Sequence, residues 1–331
     1  MNFFEVNVYT RKKRKIFLME NFMPRTNTKP NREEQNNVTA EQQVQETSAQ
    51  QKPAGETVQP VTDVAKETPT TSEQLEKETE KDLFRQLAVL LGSPVENIKE
   101  EFFIYQIHKF MSKVGKVVVR YNATEEELEK LFINSSLLNI DGITVSPAYF
   151  AVCKRVKSKN DYPARFCSII DFPFGESAFK AKLASIKDGK SYGVEENTVM
   201  MPAMLLDEAN IKQFKKQCVT IGRYGISSIA LNALDLDEGA IDRAIKAISK
   251  TKLSHIIFVF GEATVEEVKN KMVVINKYRG LKKIGVLANV ENAKDVSELF
   301  KCGADKILTP YADNIGKELL EKFKIKGIKA V

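Results

Sequence analysis

From Lys116 onward, short apolar runs alternate with longer segments whose apolar residues recur at helical spacing. The runs are Lys116–Arg120, Gly142–Val145, Arg165–Ile170, Asn197–Met201, Ser227–Leu231, His255–Phe260, Lys283–Leu287 and Asp305–Leu308. Thr124-Glu-Glu-Glu, Asp237-Glu-Gly-Ala and Thr264-Val-Glu-Glu read as helix starts. A hydroxyl or carboxylate there satisfies backbone N–H groups that lack a partner inside the helix. Gly193 and Gly303 each precede a strand, where a helix ends by turning through left-handed backbone. Eight strands, each followed by a helix, within roughly 215 residues is the size and cadence of an α/β fold of the (β/α)8 TIM-barrel type. A doubly wound open sheet is the alternative. Its dinucleotide-binding version has no support, because no Gly-x-Gly-x-x-Gly follows the first strand.

Upstream the pattern differs. Segments 73–92 and 95–113 carry helical spacing, with Leu83, Leu87 and Leu90-Leu91 in the first and Ile98, Phe102-Phe103, Ile107 and Phe110 in the second. Gly92-Ser93-Pro94 separates them, and Ser93 suits an N-cap before proline. The pair is expected to form a helical hairpin over one barrel end. From Thr26 to Thr79 there is no aromatic residue, and Gln, Glu, Thr, Asn and Pro dominate. Such a stretch buries too little apolar surface to offset the entropy of ordering it. The expected organisation is a disordered polar segment over 1–71, a helical extension over 72–114 and the barrel over 115–331.

Charge is unevenly distributed. Residues 1–80 hold 11 Lys/Arg against 13 Asp/Glu, a net of −2, which leaves +8 on the remainder of a chain whose total is +6. That fits a lysine-rich solvated surface, or a site that attracts a small anionic or sugar-like ligand. No interleaving of aromatic and basic residues supports nucleic-acid binding. Only His108 and His255 are present, and Cys153, Cys167, Cys218 and Cys302 form no CxxC pair. A histidine dyad, a metal cluster and a disulfide framework are therefore not expected, nor is a cofactor. The run Arg11–Lys15 precedes only four apolar residues, Ile16 to Met19, too few for a signal peptide, and no segment has the ~18 apolar residues of a membrane span. Contact of this basic end with a membrane surface or polyanion is a weaker reading, and Met19 or Met23 is an alternative start of translation. A cytoplasmic protein is expected.

Several segments resemble deoxyribose-phosphate aldolase in order and spacing. They are Ala123–Lys130, Gly142-Ile-Thr-Val-Ser-Pro-Ala-Tyr149, Asp171-Phe-Pro-Phe-Gly175, Lys182, Gly193–Glu196, Ala263–Val268 and Gly303–Ile307. The resemblance spans about 210 residues and implies the aldolase barrel. It also implies a chemistry: a lysine on the sixth strand forms a Schiff base with the substrate, a second lysine on the seventh lowers its pKa, and an aspartate on the fourth moves protons. Alignment places Phe258, Gly285 and Thr198 at those three positions, and Thr144 at the family's strand-two cysteine. The family's glycine-rich phosphate loops align with Gly261-Glu-Ala-Thr264, Ala288-Asn289 and Leu308-Thr-Pro-Tyr311, where proline removes a donor and Glu262 repels an anion.

Barrel active sites lie at the C-terminal strand ends. The polar residues expected there are Ser146, Asp171, Thr198, Asn232, Asp235, Glu262, Asn289 and Thr309. Asp171 and Glu262 are candidates for cation binding or acid–base work, or else solvated carboxylates and helix caps. Thr198 and Asn289 complete the candidate catalytic set. Met200, Met201 and Met204 are expected to fill core, and Tyr121 and Tyr149 either line a pocket or pack beneath helices. Two functions follow. One is a non-catalytic aldolase relative serving as a binding or assembly scaffold, with the N-terminal segment as a tether for a protein partner. The other is an enzyme acting on a small sugar-like or carbonyl substrate through different mouth residues. Fold does not decide between them.

Overall fold

The structure, a computed structural model, describes residues 84–85, 94–118, 120 and 122–330. The segment expected to be disordered, most of the first expected helix, Ser93 and Tyr121 lie outside the described residues.

The second expected helix is present as α1 (Val95–Met111) and runs straight into β1 (Val114–Val118). Seven strand–helix alternations follow: α2 (Glu125–Leu138), β2 (Ile143–Val145), α3 (Phe150–Asn160), β3 (Phe166–Ile170), α4 (Phe179–Ser191), β4 (Glu196–Met200), α5 (Ile211–Ile221), β5 (Ile226–Asn232), α6 (Glu238–Ile248), β6 (His255–Gly261), α7 (Val265–Tyr278), β7 (Lys283–Ala288), α8 (Ala293–Lys301) and β8 (Lys306–Thr309). α9 (Ala312–Lys322) ends the series, and short 3₁₀ turns cover Pro147–Tyr149 and Ala203–Leu206. The strands close in sequence order into a barrel, with β8 returning to pair with β1. Every neighbouring pair is parallel.

The expected helix starts are in place. Thr124 and Thr264 each close a capping box, with Glu127 and Glu267 respectively, and the Asp237 side chain accepts from the Ala240 N–H. Gly193 and Gly303 have φ of 87° and 93°, left-handed backbone that glycine adopts without steric cost. Strand limits fall within two residues of the apolar runs.

α1 packs at the end where the strands begin. His108 Nε2 lies 3.0 Å from the Leu137 carbonyl oxygen near the end of α2. Phe103 stacks on Phe323 at 4.7 Å between centroids, and Phe110 meets Phe300 edge-on at 5.5 Å. The main core fills the space between barrel and helices. A separate apolar cluster of Val117, Ile169, Met200, Ala230, Ile257, Val259, Leu287 and Leu308, with Phe172 packed against it, fills the barrel itself. Met200 and Met201 are buried as expected. Met204 is not core: it is 65% exposed on the 3₁₀ turn after β4.

Candidate functional site: the barrel mouth

The mouth lies where Met200, Asn232, Gly261, Ala288 and Thr309 end their strands. Which side chains point into it follows from the two-residue period of a strand. Ile257 and Val259 of β6 belong to the cluster inside the barrel, while Phe258 between them belongs to the core beneath the helices. The sequence alignment with Phe258 at the Schiff-base position is thereby corrected: that ring faces outward and is fully buried away from the mouth. Ile256–Phe260 is apolar throughout, as in strands covered on both faces, so its composition carries no alternation to read. Gly285, aligned with the second lysine, does face inward, because a Cβ there would meet Ile257 Cδ1 at 2.2 Å. By register Ile257 pairs with Gly285 and Val259 with Leu287. From Ile257 and Gly285 up to the mouth, the inward positions of these two strands carry no amine.

Asp171 sits immediately after β3 with φ of +64°. Its carboxylate accepts from the Ser177 N–H at 2.8 Å and the Ser177 hydroxyl at 2.6 Å, and lies 3.1 Å from Lys182 Nζ. Burial alone would raise its pKa, but Ser177 and Lys182 outweigh that and hold the carboxyl below its usual range. Lys182 reaches in from α4, only 2% exposed, and donates to the carbonyls of Gly175 at 2.5 Å and Met200 at 2.7 Å. Burial pushes this amine below its usual value, against the opposing pull of Asp171. Both side chains tie the turn after β3 to the end of β4, which accounts for their charges structurally.

The other candidates are dispersed. Thr198 is not at the mouth: it lies midway along β4, 4% exposed, between Glu196 below and Met200 above. Glu262 and Asn289 do meet at the rim, with the Asn289 amide donating to Glu262 at 2.9 Å. Asn232 donates to Asp235 at 2.5 Å. Thr309 is buried and donates to the Val290 carbonyl at 2.8 Å. Ser146 precedes the 3₁₀ turn at Pro147 without a side-chain cap bond. The Tyr149 hydroxyl donates to the Arg120 carbonyl at 2.7 Å and accepts from the Ala123 N–H at 3.1 Å, so it fastens the loop after β1. Thr144 is buried, and burial pushes the Cys153 and Cys167 thiols up to about 12. Among the described residues no group of three or more His, Cys, Asp and Glu is arranged to hold a metal ion, and no helix is long and apolar enough to cross a membrane.

A charged cluster that the sequence reading did not single out occupies the opposite end of the barrel. Lys306 of β8 reaches across the interior to Glu196 of β4, at 3.1 Å, and to Asp141 at 2.7 Å. Arg165 joins the same two carboxylates, Asp141 at 2.5 Å and Glu196 at 3.1 Å. Each of these residues opens a strand or lies within two residues of its start, and that shared position was the available signal.

No family model matches the chain. Curated relatives do. Deoxyribose-phosphate aldolase of Mycoplasmoides gallisepticum is 26% identical over 223 residues, which cover 64% of this chain and 96% of that protein. The enzyme of Mycoplasmoides pirum is 23% identical over 227 residues, covering 64% and 99%. Among solved structures, an aldolase designated QR15 superposes with a TM-score of 0.57 at 18% identity, covering 65% of this chain and 98% of its own. The tetrameric deoxyribose phosphate aldolase of Aeropyrum pernix gives 0.57 at 16% identity, covering 66% and 94%. In sequence along the barrel, and in fold, the chain is similar to the deoxyribose-phosphate aldolases.

Proposed function

We propose that this protein is a non-catalytic relative of the deoxyribose-phosphate aldolases, whose barrel serves as a binding or assembly scaffold. One observation carries the reading: the interior below the mouth is filled by Ile257, Val259, Leu287 and Leu308, where a Schiff-base mechanism needs an amine. An apolar layer also excludes the water and proton carriers that carbon–carbon cleavage requires. Asp171 and Lys182, a polar pair beside the mouth, spend their hydrogen bonds on the turn that they hold.

The test is covalent trapping. The full chain is incubated with deoxyribose 5-phosphate, or with acetaldehyde, then treated with borohydride and weighed by mass spectrometry. The expected mass is that of the unmodified protein. A stoichiometric adduct on any lysine of the barrel overturns the proposal.

A second reading, an enzyme for a small sugar-like or carbonyl substrate, draws on the Glu262–Asn289 pair at the rim. It requires turnover that disappears in Glu262→Gln while the fold persists.

A further inference from the structure

We infer that the protein binds a small oxyanion, of the phosphate or phosphomonoester class, at the end of the barrel opposite the mouth. A cavity of about 370 Å³ opens there, between the strand starts and the segment that joins α1 to β1. That volume falls at the small end of the ~300–1,000 Å³ range of ligand sites.

The charges around it do not balance. Asp141 and Glu196 are each engaged by both Arg165 and Lys306. Asp305, the third carboxylate of the lining, is held by Arg279 at 2.5 Å and also accepts from the Ile284 N–H. Lys113 and Lys283 also line the cavity, and among the described residues neither has a carboxylate partner. Lys113 lies over the Phe300 ring, 5.7 Å from its centroid, a contact that offers the ammonium no opposing formal charge. The cavity therefore keeps two cations beyond what its carboxylates neutralise.

Another cleft of the molecule makes the contrast. It holds about 400 Å³ between β1, α2 and the start of α9, and three basic residues line it. There Lys116 is paired with Asp313, Arg120 with Glu127 and Lys130 with Glu126. Surplus positive charge is thus a property of the basal cavity and not of every basic recess on the surface.

His255 adds a second observation. It lines the basal cavity, and its Nδ1 is one of four buried side-chain polar atoms without a hydrogen-bond partner among the described residues. Burial, and after it Lys306, hold this imidazole below its usual pKa, so at neutral pH it is uncharged. An oxyanion seated at Lys283, the register partner of His255, takes ammonium hydrogen bonds that no carboxylate uses, and it changes the field felt by the imidazole.

The experiment titrates the full chain with inorganic phosphate and, in parallel, with glycerol 3-phosphate, at constant ionic strength. The two histidine signals are followed by NMR, each assigned by a His→Gln variant. Saturable movement of the His255 signal, with His108 still, is the expected result. Lys283→Ala is expected to weaken binding roughly tenfold, the loss of one charged hydrogen bond, and Lys283→Arg to restore most of it. Tighter binding of the ester identifies a phosphorylated small molecule as the occupant, and equal binding identifies free phosphate. An unmoved His255 signal, movement matched by sodium chloride, or full affinity in a folded Lys283→Ala overturns the inference. The site lies apart from the mouth, so its failure leaves the scaffold proposal untouched.

Discussion

Val259 of β6 and Leu287 of β7 are register partners whose side chains share one apolar layer inside the barrel. Phe258, next to Val259, points the opposite way into the core beneath the helices. The two neighbours therefore answer to different surroundings. Phe258→Ala is expected to cost about 3–5 kcal/mol, because a ring is removed from a packed core that collapses only partly. Phe258→Lys should cost at least as much and yield no trapped aldehyde, since its amine lies on the wrong side of the sheet. Val259→Lys should also destabilise, but its amine points into the barrel. Denaturant unfolding and borohydride trapping of the three variants test the assignment. A trapped adduct in Phe258→Lys and none in Val259→Lys would reverse it.

The strand–helix alternation was legible because each strand is a compact apolar run and several of the helices carry their own start signals. Thr124, Asp237 and Thr264 announce helices through local hydrogen bonds that need no tertiary contact. The facing of Ile256–Phe260 was not legible, because a strand covered on both sides has no polar face. The basal cluster was also missed. Asp141, Arg165, Glu196 and Lys306 span 165 positions of sequence and meet only when β8 closes against β1. At the mouth, the sequence leaves Asp171 open between a site carboxylate and a solvated or capping one, and only the structure shows Ser177 and Lys182 occupying it.

Lys182 is expected to matter for stability more than its place on an outer helix suggests. Lys182→Met removes the donor to Gly175 and Met200 and leaves Asp171 short of a cation, at a cost of about 3 kcal/mol. That corresponds to a fall in Tm of about 6–12 °C for a domain of this size. Asp171→Asn should cost less, since asparagine tolerates positive φ and keeps an acceptor for Ser177. The pH dependence has a definite sign. The Asp171 carboxyl is depressed in the folded state, so its contribution is present above the unfolded value near ~3.9. It is lost as pH falls through that value and the lower folded one. Thermal melts of wild type and Asp171→Asn should therefore converge on acidification, and a gap that widens below pH 4 would contradict the assignment.

Glu196 and Lys306 give the opposite pH test. Burial alone would lower the Lys306 pKa, but Glu196 and Asp141 outweigh it and hold the amine above its usual value. Its contribution is present below the unfolded value near ~10.4 and lost as pH rises through the higher folded value. Glu196→Gln removes a carboxylate shared by Lys306 and Arg165, and should cost about 3–5 kcal/mol near neutral pH. Replacing Lys306 and Glu196 together with apolar residues should cost less than the sum of the single changes. A double-mutant cycle on chemical denaturation measures the difference, and strict additivity would mean that the contact across the barrel is energetically idle.

Two glycines separate what the aldolase-like turns contribute from ordinary backbone preference. Gly175 and Gly193 both have positive φ, 72° and 87°, so alanine at either position meets left-handed strain of about 1–2 kcal/mol. Their surroundings differ. A Cβ on Gly193 has nothing within 4 Å, whereas one on Gly175 would lie 2.9 Å from the Met200 carbonyl carbon and 3.0 Å from the Met201 carbonyl carbon. Those are backbone atoms at the end of β4, and Lys182 ties the same two segments together through Gly175 and Met200. Relief would require the turn to move off the strand and break both bonds. Gly193→Ala is therefore expected to lose only the strain, and Gly175→Ala to lose several kcal/mol more or fail to fold. Phe-Pro-Phe-Gly then marks a place where two backbones touch, which accounts for the turn in a barrel whether or not it does chemistry. Equal losses at the two glycines, measured by chemical denaturation, would remove that packing explanation.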